Sequence, residues 1–258
     1  MFEREKIPHH CIDVKDLDEY FSAGEYGKLA RKIIQDILKR GKLPIVVGGS
    51  GLYIKALIDG LFPGDYRDAK RREQLVERVK KEGLEILYQQ LCAVDPIASK
   101  KIHSNDLKRI IRALEVYEIS GEPISHIQEE MTIPADFVPQ FWGLRWKREI
   151  LYQRINSRVD EMIASGLIRE VEQLKVRGYN AQYNSLDSVG YREVFEYLNG
   201  KILYQEMIEL IKQNTRRMAK KQLTWFTRDP RIEWINLEEP VDWDNIAKKI
   251  LDTYYSVL

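Results

Sequence analysis

The 258-residue sequence holds only two cysteines and four histidines, and nowhere does it run apolar for the length of a membrane span. Each scarcity removes a class of protein. Cys11 and Cys92 lie far apart with no CxxC spacing, so a disulfide framework or a thiolate zinc cluster cannot be built from them. His9 and His10 are adjacent, so their side chains point different ways, and no third ligand recurs at ligand spacing; metal ligation by them is set aside. Spanning a bilayer takes about 20 consecutive apolar residues, and the opening MFEREKIPHH has no apolar centre of the kind a signal peptide needs. A cytoplasmic protein that spans no membrane is expected. Excess charge is also missing: 41 basic side chains stand against 40 acidic ones. No overall field announces a polyanionic partner, and only local clustering of basic residues can do so. Hydrophobic residues make up 44% of the chain, enough to bury a full core, and no repeat period or low-complexity segment interrupts them.

What is present changes texture twice. The segment GEYGKLARKIIQDILKRG has a helical period, LPIVVGG is a short apolar strand, and GLYIKALIDGL is again helical. That alternation predicts an α/β parallel sheet whose strand is covered on both faces. From FPGDYRDAKRREQL to HIQEEMTIPADF the pattern is helical and heavily charged, bounded by Pro63-Gly64 and by Pro134 and Pro139. PQFWGLRW reads as a further strand, followed by helices over 148–165, 167–177, 190–199 and 204–228, a strand in RIEWINL and a last helix. The expected organisation is an α/β core with C-terminal helices over 1–61 and 140–258, interrupted by a helical insertion domain over 62–139. A parallel sheet needs more strands than these, so further strands are expected upstream.

The stretch VVGGSGLYIKAL has the strand, glycine knot and helix of a phosphate loop, but no lysine follows its last glycine. It fails GxxxxGK[ST], and Ile54 stands where GxGxxG needs glycine. Two readings remain open. Glycine permits close backbone packing at a tight turn, or Gly48, Gly49 and Ser50 present N–H groups and a hydroxyl at a helix start to a polar ligand.

Basic helices accompany this loop. In HSNDLKRIIRALEVYEISGE, Leu107, Ile110, Ile111 and Leu114 share a face, leaving Lys108 and Arg112 together on another with Arg109 nearby. Asn105 or Asp106 is a candidate N-cap and Gly121 a terminator. In LIKQNTRRMAKKQLTWFTRDP, Lys212, Arg216 and Lys220 fall one turn apart, Arg217 and Lys221 line the next stripe, and no acid occurs between Glu209 and Asp229. Like charges so placed repel, which a polyanion would relieve; Trp225 and Phe226 add aromatics that serve either as core or as base-stacking surfaces. A third segment, REILYQRINSRVDEMIASGL, sets Arg154 and Arg158 one turn apart beside an apolar row, a fork suited to a carboxylate or diphosphate.

PHHCIDV, FSAGEY, PIVVGGSGLYIKAL, HSNDLKRIIRALEVYEISGEPIS, RINSRVDEMIASGL, SVGYREVFEYLNG and TRRMAKKQLTWF occur in the order and approximate spacing of tRNA dimethylallyltransferases, also called tRNA isopentenyltransferases. The chain resembles this family along nearly its whole length. Ser50 stands where the family usually has threonine, Lys221 where AKRQ has arginine, and Thr227 where TWFR has arginine. The resemblance implies a P-loop NTPase-like parallel core and transfer of a dimethylallyl group from dimethylallyl diphosphate to the N6 amine of the adenosine 3′ of the anticodon, with Mg²⁺. It matches Arg158 to the diphosphate side and Ser50 to the target adenine. Arg72, Lys108, Arg109, Arg112, the turn with Ser188, Gly190, Tyr191 and Arg192, and the pair Lys220 and Lys221 match the side that holds the tRNA anticodon stem-loop. No residue is matched to the metal, and a monomer is expected. Family members also carry a GPTASGKT-like phosphate loop and a DS-QVY-like strand end whose aspartate is the general base. The sequence contains neither, so the core is expected to be N-terminally truncated and the chain as given to bind tRNA without prenylating it. A non-catalytic tRNA-binding remnant is the alternative. A small-molecule kinase of the P-loop superfamily fits the fold but not the basic helices.

Overall fold

The computed structural model describes residues 6–62, 64 and 66–256. Contacts divide the chain into two compact units: one formed by Ala23–Lys42 and Leu52–Asp136, the other by Met1–Ser22, Leu43–Gly51 and Phe137–Leu258. This division counts Ala23–Lys42 and Leu52–Gly60 with the helical segment, whereas the sequence reading grouped them with the α/β core.

In the helical unit the elements are α1 (Ala23–Lys39), α2 (Gly51–Ile58, whose first residue counts with the other unit), α3 (Ala69–Glu82), α4 (Leu84–Val94), α5 (Pro96–Lys101), α6 (Leu107–Ser120) and α7 (Ile124–Met131). Three of these helices have side-chain caps at their starts. Asp68 accepts from the amides of Lys70 and Arg71, Asp106 from Arg109, and Asp95 from Ala98 with Pro96 at the first helical position. Each such cap contributes about 1 kcal/mol. Asp95 is 2% exposed and also accepts from the amide and hydroxyl of Ser125, so one carboxylate starts α5 and anchors the beginning of α7. Leu75, Leu87, Leu91, Ile110, Ile111, Leu114 and Ile127 form the core. Leu107, expected on the buried face of α6, is 37% exposed, because it opens the helix before the packed turns begin. Gly27 lets α1 approach α2: a Cβ there would lie 2.7 Å from the carbonyl oxygen of Ala56. Arg31 fastens the same region, its Nε donating to the Leu57 carbonyl at 2.7 Å and Nη1 to that of Ile133 at 2.9 Å.

The second unit carries a small parallel sheet. β1 (Phe141–Trp146) pairs with β2 (Ile232–Leu237) in the register Phe141↔Ile232 to Trp146↔Leu237. Gly143 faces Trp234, and a Cβ there would sit 2.7 Å from the indole, so the position must be small. Between the strands run α8 (Arg148–Ala164), α9 (Leu167–Val176), α10 (Tyr191–Leu198) and α11 (Tyr204–Phe226), and α12 (Trp243–Tyr255) follows β2. Val159, Leu167, Val171, Leu186, Val194, Phe195, Met207 and Ile211 make the core beneath them. The helices and both C-terminal strands match the expected spans to within a few residues.

LPIVVGG does not. Residues 43–50 join no sheet, and Ile45 and Val47 are 76% and 90% exposed. The expected doubly covered strand is absent for a physical reason: a strand exists through ladder bonds to a neighbour, and no described segment pairs with this one.

Candidate nucleic-acid interface

The site is built on α11. Its first half is packed through Met207, Ile208 and Ile211. Next come cations that the sequence alone left looking uncompensated. Lys212 Nζ lies 2.7 Å from Asp160 on α8, and Arg216 donates to Asn156 on the same helix at 2.6 Å while lying 6.0 Å from the Tyr152 ring. The stripe read as strained by repulsion is therefore partly a packing surface, its charges answered by a helix distant in sequence. One and two turns further on the character changes. Lys220 and Lys221 are exposed and have no side-chain partner among the described residues, and together with Thr224, Trp225 and Arg228 they line an open depression of about 350 Å³. Trp225 is 43% exposed.

The glycine loop meets this end of α11. A Cβ on Gly49 would fall 2.4 Å from Nε2 of Gln222, and one on Gly51 would fall 2.3 Å from Nε1 of Trp225. Close approach excludes a side chain at Gly51, which faces a rigid indole, whereas Gly49 faces the far end of a flexible side chain and a Cβ on Gly48 would meet nothing within 4 Å. Ser50, between them, is exposed at the start of α2. Gln222 gave no signal in the sequence; only the three-dimensional contact with the loop singles it out.

Arg158 and Arg154 behave differently despite their matching spacing. Arg154 is held at 3.2 Å by Glu239 and lies 4.6 Å from the Trp146 ring, at the carboxyl end of the sheet. Arg158, one turn along α8, is exposed and has no partner among the described residues. The expected fork therefore contributes one occupied guanidinium and one available one.

The turn before α10 is organised by Glu193, 1% exposed. It accepts from the Gly190 amide at 2.7 Å, from Asn214 at 2.8 Å and from Arg192 at 2.9 Å. Burial pushes its pKa up, but the amide, the carboxamide and the guanidinium outweigh burial and leave it below the usual carboxylate value. Gly190 holds φ of 103°, in the left-handed region. Tyr191 donates to Glu170, and burial together with that bond pushes its pKa up to about 12. Ser188 supplies the carbonyl that receives the Arg192 amide.

In the helical unit Glu115 plays the same part. It is 1% exposed and accepts from Arg112 at 2.9 Å and from the Asp68 amide at 3.2 Å, with Arg72 at 3.8 Å. Arg109 pairs with Asp106 at 3.3 Å, whereas Lys108 is exposed with no partner among the described residues. The importance of Glu115 and Glu193 was not visible in sequence, since each reads as one charge among many on an amphipathic helix. Among the described residues no three His, Cys, Asp or Glu side chains gather as a metal site, and no helix is long and apolar enough to cross a membrane.

Residues 1–229 match the family model described as IPP transferase. The chain is 46% identical over 253 residues to the tRNA dimethylallyltransferase of Thermoanaerobacter sp. strain X514, covering 96% of this chain and 80% of that protein. It is 47% identical over 254 residues to the enzyme of that name from Carboxydothermus hydrogenoformans, again with 96% and 80% coverage. Among solved structures, the tRNA isopentenylpyrophosphate transferase of Bacillus halodurans superposes with a TM-score of 0.70 at 37% identity, over 99% of this chain and 80% of that one. A eukaryotic dimethylallyltransferase acting on tRNA gives a TM-score of 0.78 at 28% identity, over 97% and 65%. With matched sequence along most of its length and the same mixed fold, the chain belongs to the IPP transferase family of tRNA dimethylallyltransferases.

Proposed function

We propose that the protein serves transfer of a dimethylallyl group from dimethylallyl diphosphate to the N6 amine of the adenosine 3′ of the anticodon in tRNA. The observation that carries the RNA half is local: Lys220, Lys221 and Arg228 are exposed, have no carboxylate partner among the described residues and surround the exposed Trp225, and Trp225 abuts the glycine loop that bears Ser50. Phosphate contacts from such cations position a nucleic acid, while the loop supplies an exposed hydroxyl beside the bound strand. The target amine must leave the anticodon stack to react, and in this proposal Ser50 receives the extruded adenine.

The leaving diphosphate gains negative charge as the allylic bond breaks, so a positioned cation on that side stabilises the transition state. Arg158 takes this role in our reading, supported by its exposure and lack of a partner among the described residues, one turn from Arg154 at the carboxyl end of the sheet. Lys108 joins Lys220 and Lys221 as a phosphate contact. Arg72, Arg109, Arg112 and Arg192 are engaged with carboxylates, and in this proposal they shape the tRNA side more than they hold charge for it. Ser188, Gly190 and Tyr191 set the turn that carries Arg192. Mg²⁺ would supply further charge neutralisation on the diphosphate; the described residues gather no ligand set for it, and no residue is assigned to it.

An aromatic amine has a delocalised lone pair, so a base must take its proton. The phosphate loop and the DS-QVY-like aspartate that the family resemblance calls for do not occur in the sequence. The proposal therefore divides the work: these 258 residues bind tRNA and supply Arg158, and transfer requires those two motifs in addition. The test is nucleoside mass spectrometry of unmodified tRNA incubated with dimethylallyl diphosphate, Mg²⁺ and either this chain or a fusion placing both motifs before it. Isopentenyladenosine only with the fusion is the expected result. Transfer by the chain alone would overturn the division of work, and tRNA binding without transfer in either case would establish the non-catalytic alternative.

A further inference from the structure

The geometry points to Trp225 as a stacking platform for one unpaired nucleobase, seated rigidly by Gly51 and ringed by cations that take the flanking phosphates. The inference rests on the tRNA reading and adds to it a site that the family motifs do not assign. Three ring atoms of the indole, Nε1, Cδ1 and Cε2, would lie 2.3–2.5 Å from a Cβ on Gly51. The ring is thus pressed against the backbone at the first residue of α2, where only a hydrogen leaves room for it. The side chain nevertheless remains 43% exposed, and the exposed part opens into the depression lined by Lys220, Lys221, Thr224 and Arg228.

A large aromatic surface held against a fixed backbone loses little further freedom when something stacks on it. In a purely structural role that exposed area would be better covered. Charge complementarity selects the occupant. Lys220, Lys221 and Arg228 have no carboxylate partners among the described residues, so an anion with an aromatic face satisfies the site, and a single-stranded nucleotide has both. A base-paired duplex offers the phosphates but keeps its faces stacked.

Two glycines separate platform from scaffold. Gly51 opposes a rigid indole, so Gly51→Ala must displace the ring. Gly49 opposes Nε2 and Cδ of Gln222, the far end of a flexible side chain, so Gly49→Ala is absorbed by a rotamer change.

The experiment is equilibrium binding of two RNAs, an unmodified anticodon stem-loop and a blunt duplex of equal length, to wild type, Trp225→Ala, Trp225→Phe, Gly51→Ala and Gly49→Ala, with melting temperatures recorded for each. Wild type should prefer the stem-loop. Trp225→Ala and Gly51→Ala should weaken stem-loop binding about tenfold or more, as loss of one stacked base does, and leave duplex binding unchanged. Trp225→Phe and Gly49→Ala should stay within about threefold of wild type on both RNAs. Trp225→Ala variants that keep the wild-type preference would overturn the platform while leaving the tRNA reading intact. Wild type binding both RNAs equally would overturn the tRNA reading and the platform with it.

Discussion

The two compact units solve one problem in the same way and then diverge. Each buries a glutamate to 1% exposure, Glu115 in one and Glu193 in the other, and each surrounds it with a backbone amide and an arginine. In the helical unit this network and the capping pair Arg109–Asp106 engage most of the cations that the sequence offers as RNA contacts, leaving Lys108. In the unit with the sheet, the network involves Arg192, α8 engages Lys212 and Arg216, and the last turns of α11 still present Lys220, Lys221 and Arg228 beside an aromatic ring. A cation committed to a buried carboxylate belongs to stability; one without a partner is available for a ligand. Counting basic residues along a helix does not distinguish them.

Breaking the committed pairs should have the largest effect. Arg112→Ala removes the nearest partner of Glu115 and leaves a buried charge with the Asp68 amide at 3.2 Å and Arg72 at 3.8 Å; a loss of about 3 kcal/mol in unfolding free energy is expected by chemical denaturation. Asp95→Ala should cost about 2 kcal/mol, since the amides of Ala98 and Ser125 and a hydroxyl lose their acceptor.

Glu193 sharpens the comparison through pH. Its folded pKa lies below its ordinary value, so its stabilising contribution is fully present above the unfolded value of about 4.3 and is lost as pH falls through the folded value. Glu193→Gln should therefore melt well below wild type at pH 7, and the gap should narrow steadily below about pH 4. A gap independent of pH would show that shape, not charge, matters there.

Much of this was legible in advance and some was not. The heptad-like spacing of α6, the caps Asp106 and Gly121, and the strand pattern of FWGLRW and IEWINL specify local structure through neighbours in sequence, and those elements formed as expected. LPIVVGG has equally strong strand composition and joins no sheet, because pairing is a property of two segments and composition reports one. The same logic limits the site reading. Lys212 and Lys220 are equivalent by spacing, and the closer of the two carboxylates that engage Lys212, Asp160 at 2.7 Å, lies some fifty residues earlier. For the loop glycines the sequence leaves close packing and ligand binding open; the side chains that crowd Gly49 and Gly51, those of Gln222 and Trp225, lie far along the chain, and Gly48 is not crowded.

The smallest expected effects on stability fall on the available cations. Arg158→Ala should leave unfolding free energy within about 0.5 kcal/mol of wild type and, in the fusion proposed above, lower kcat on the order of 10²-fold with tRNA affinity nearly unchanged. The most direct test of the account is the salt dependence of tRNA affinity for Lys220→Ala with Lys221→Ala, measured beside the unfolding free energy of the same protein. A log–log salt slope shallower by about one to two and an unfolding free energy unchanged within about 0.5 kcal/mol are expected. An unchanged slope accompanied by lost stability would contradict it, placing these lysines among the committed charges.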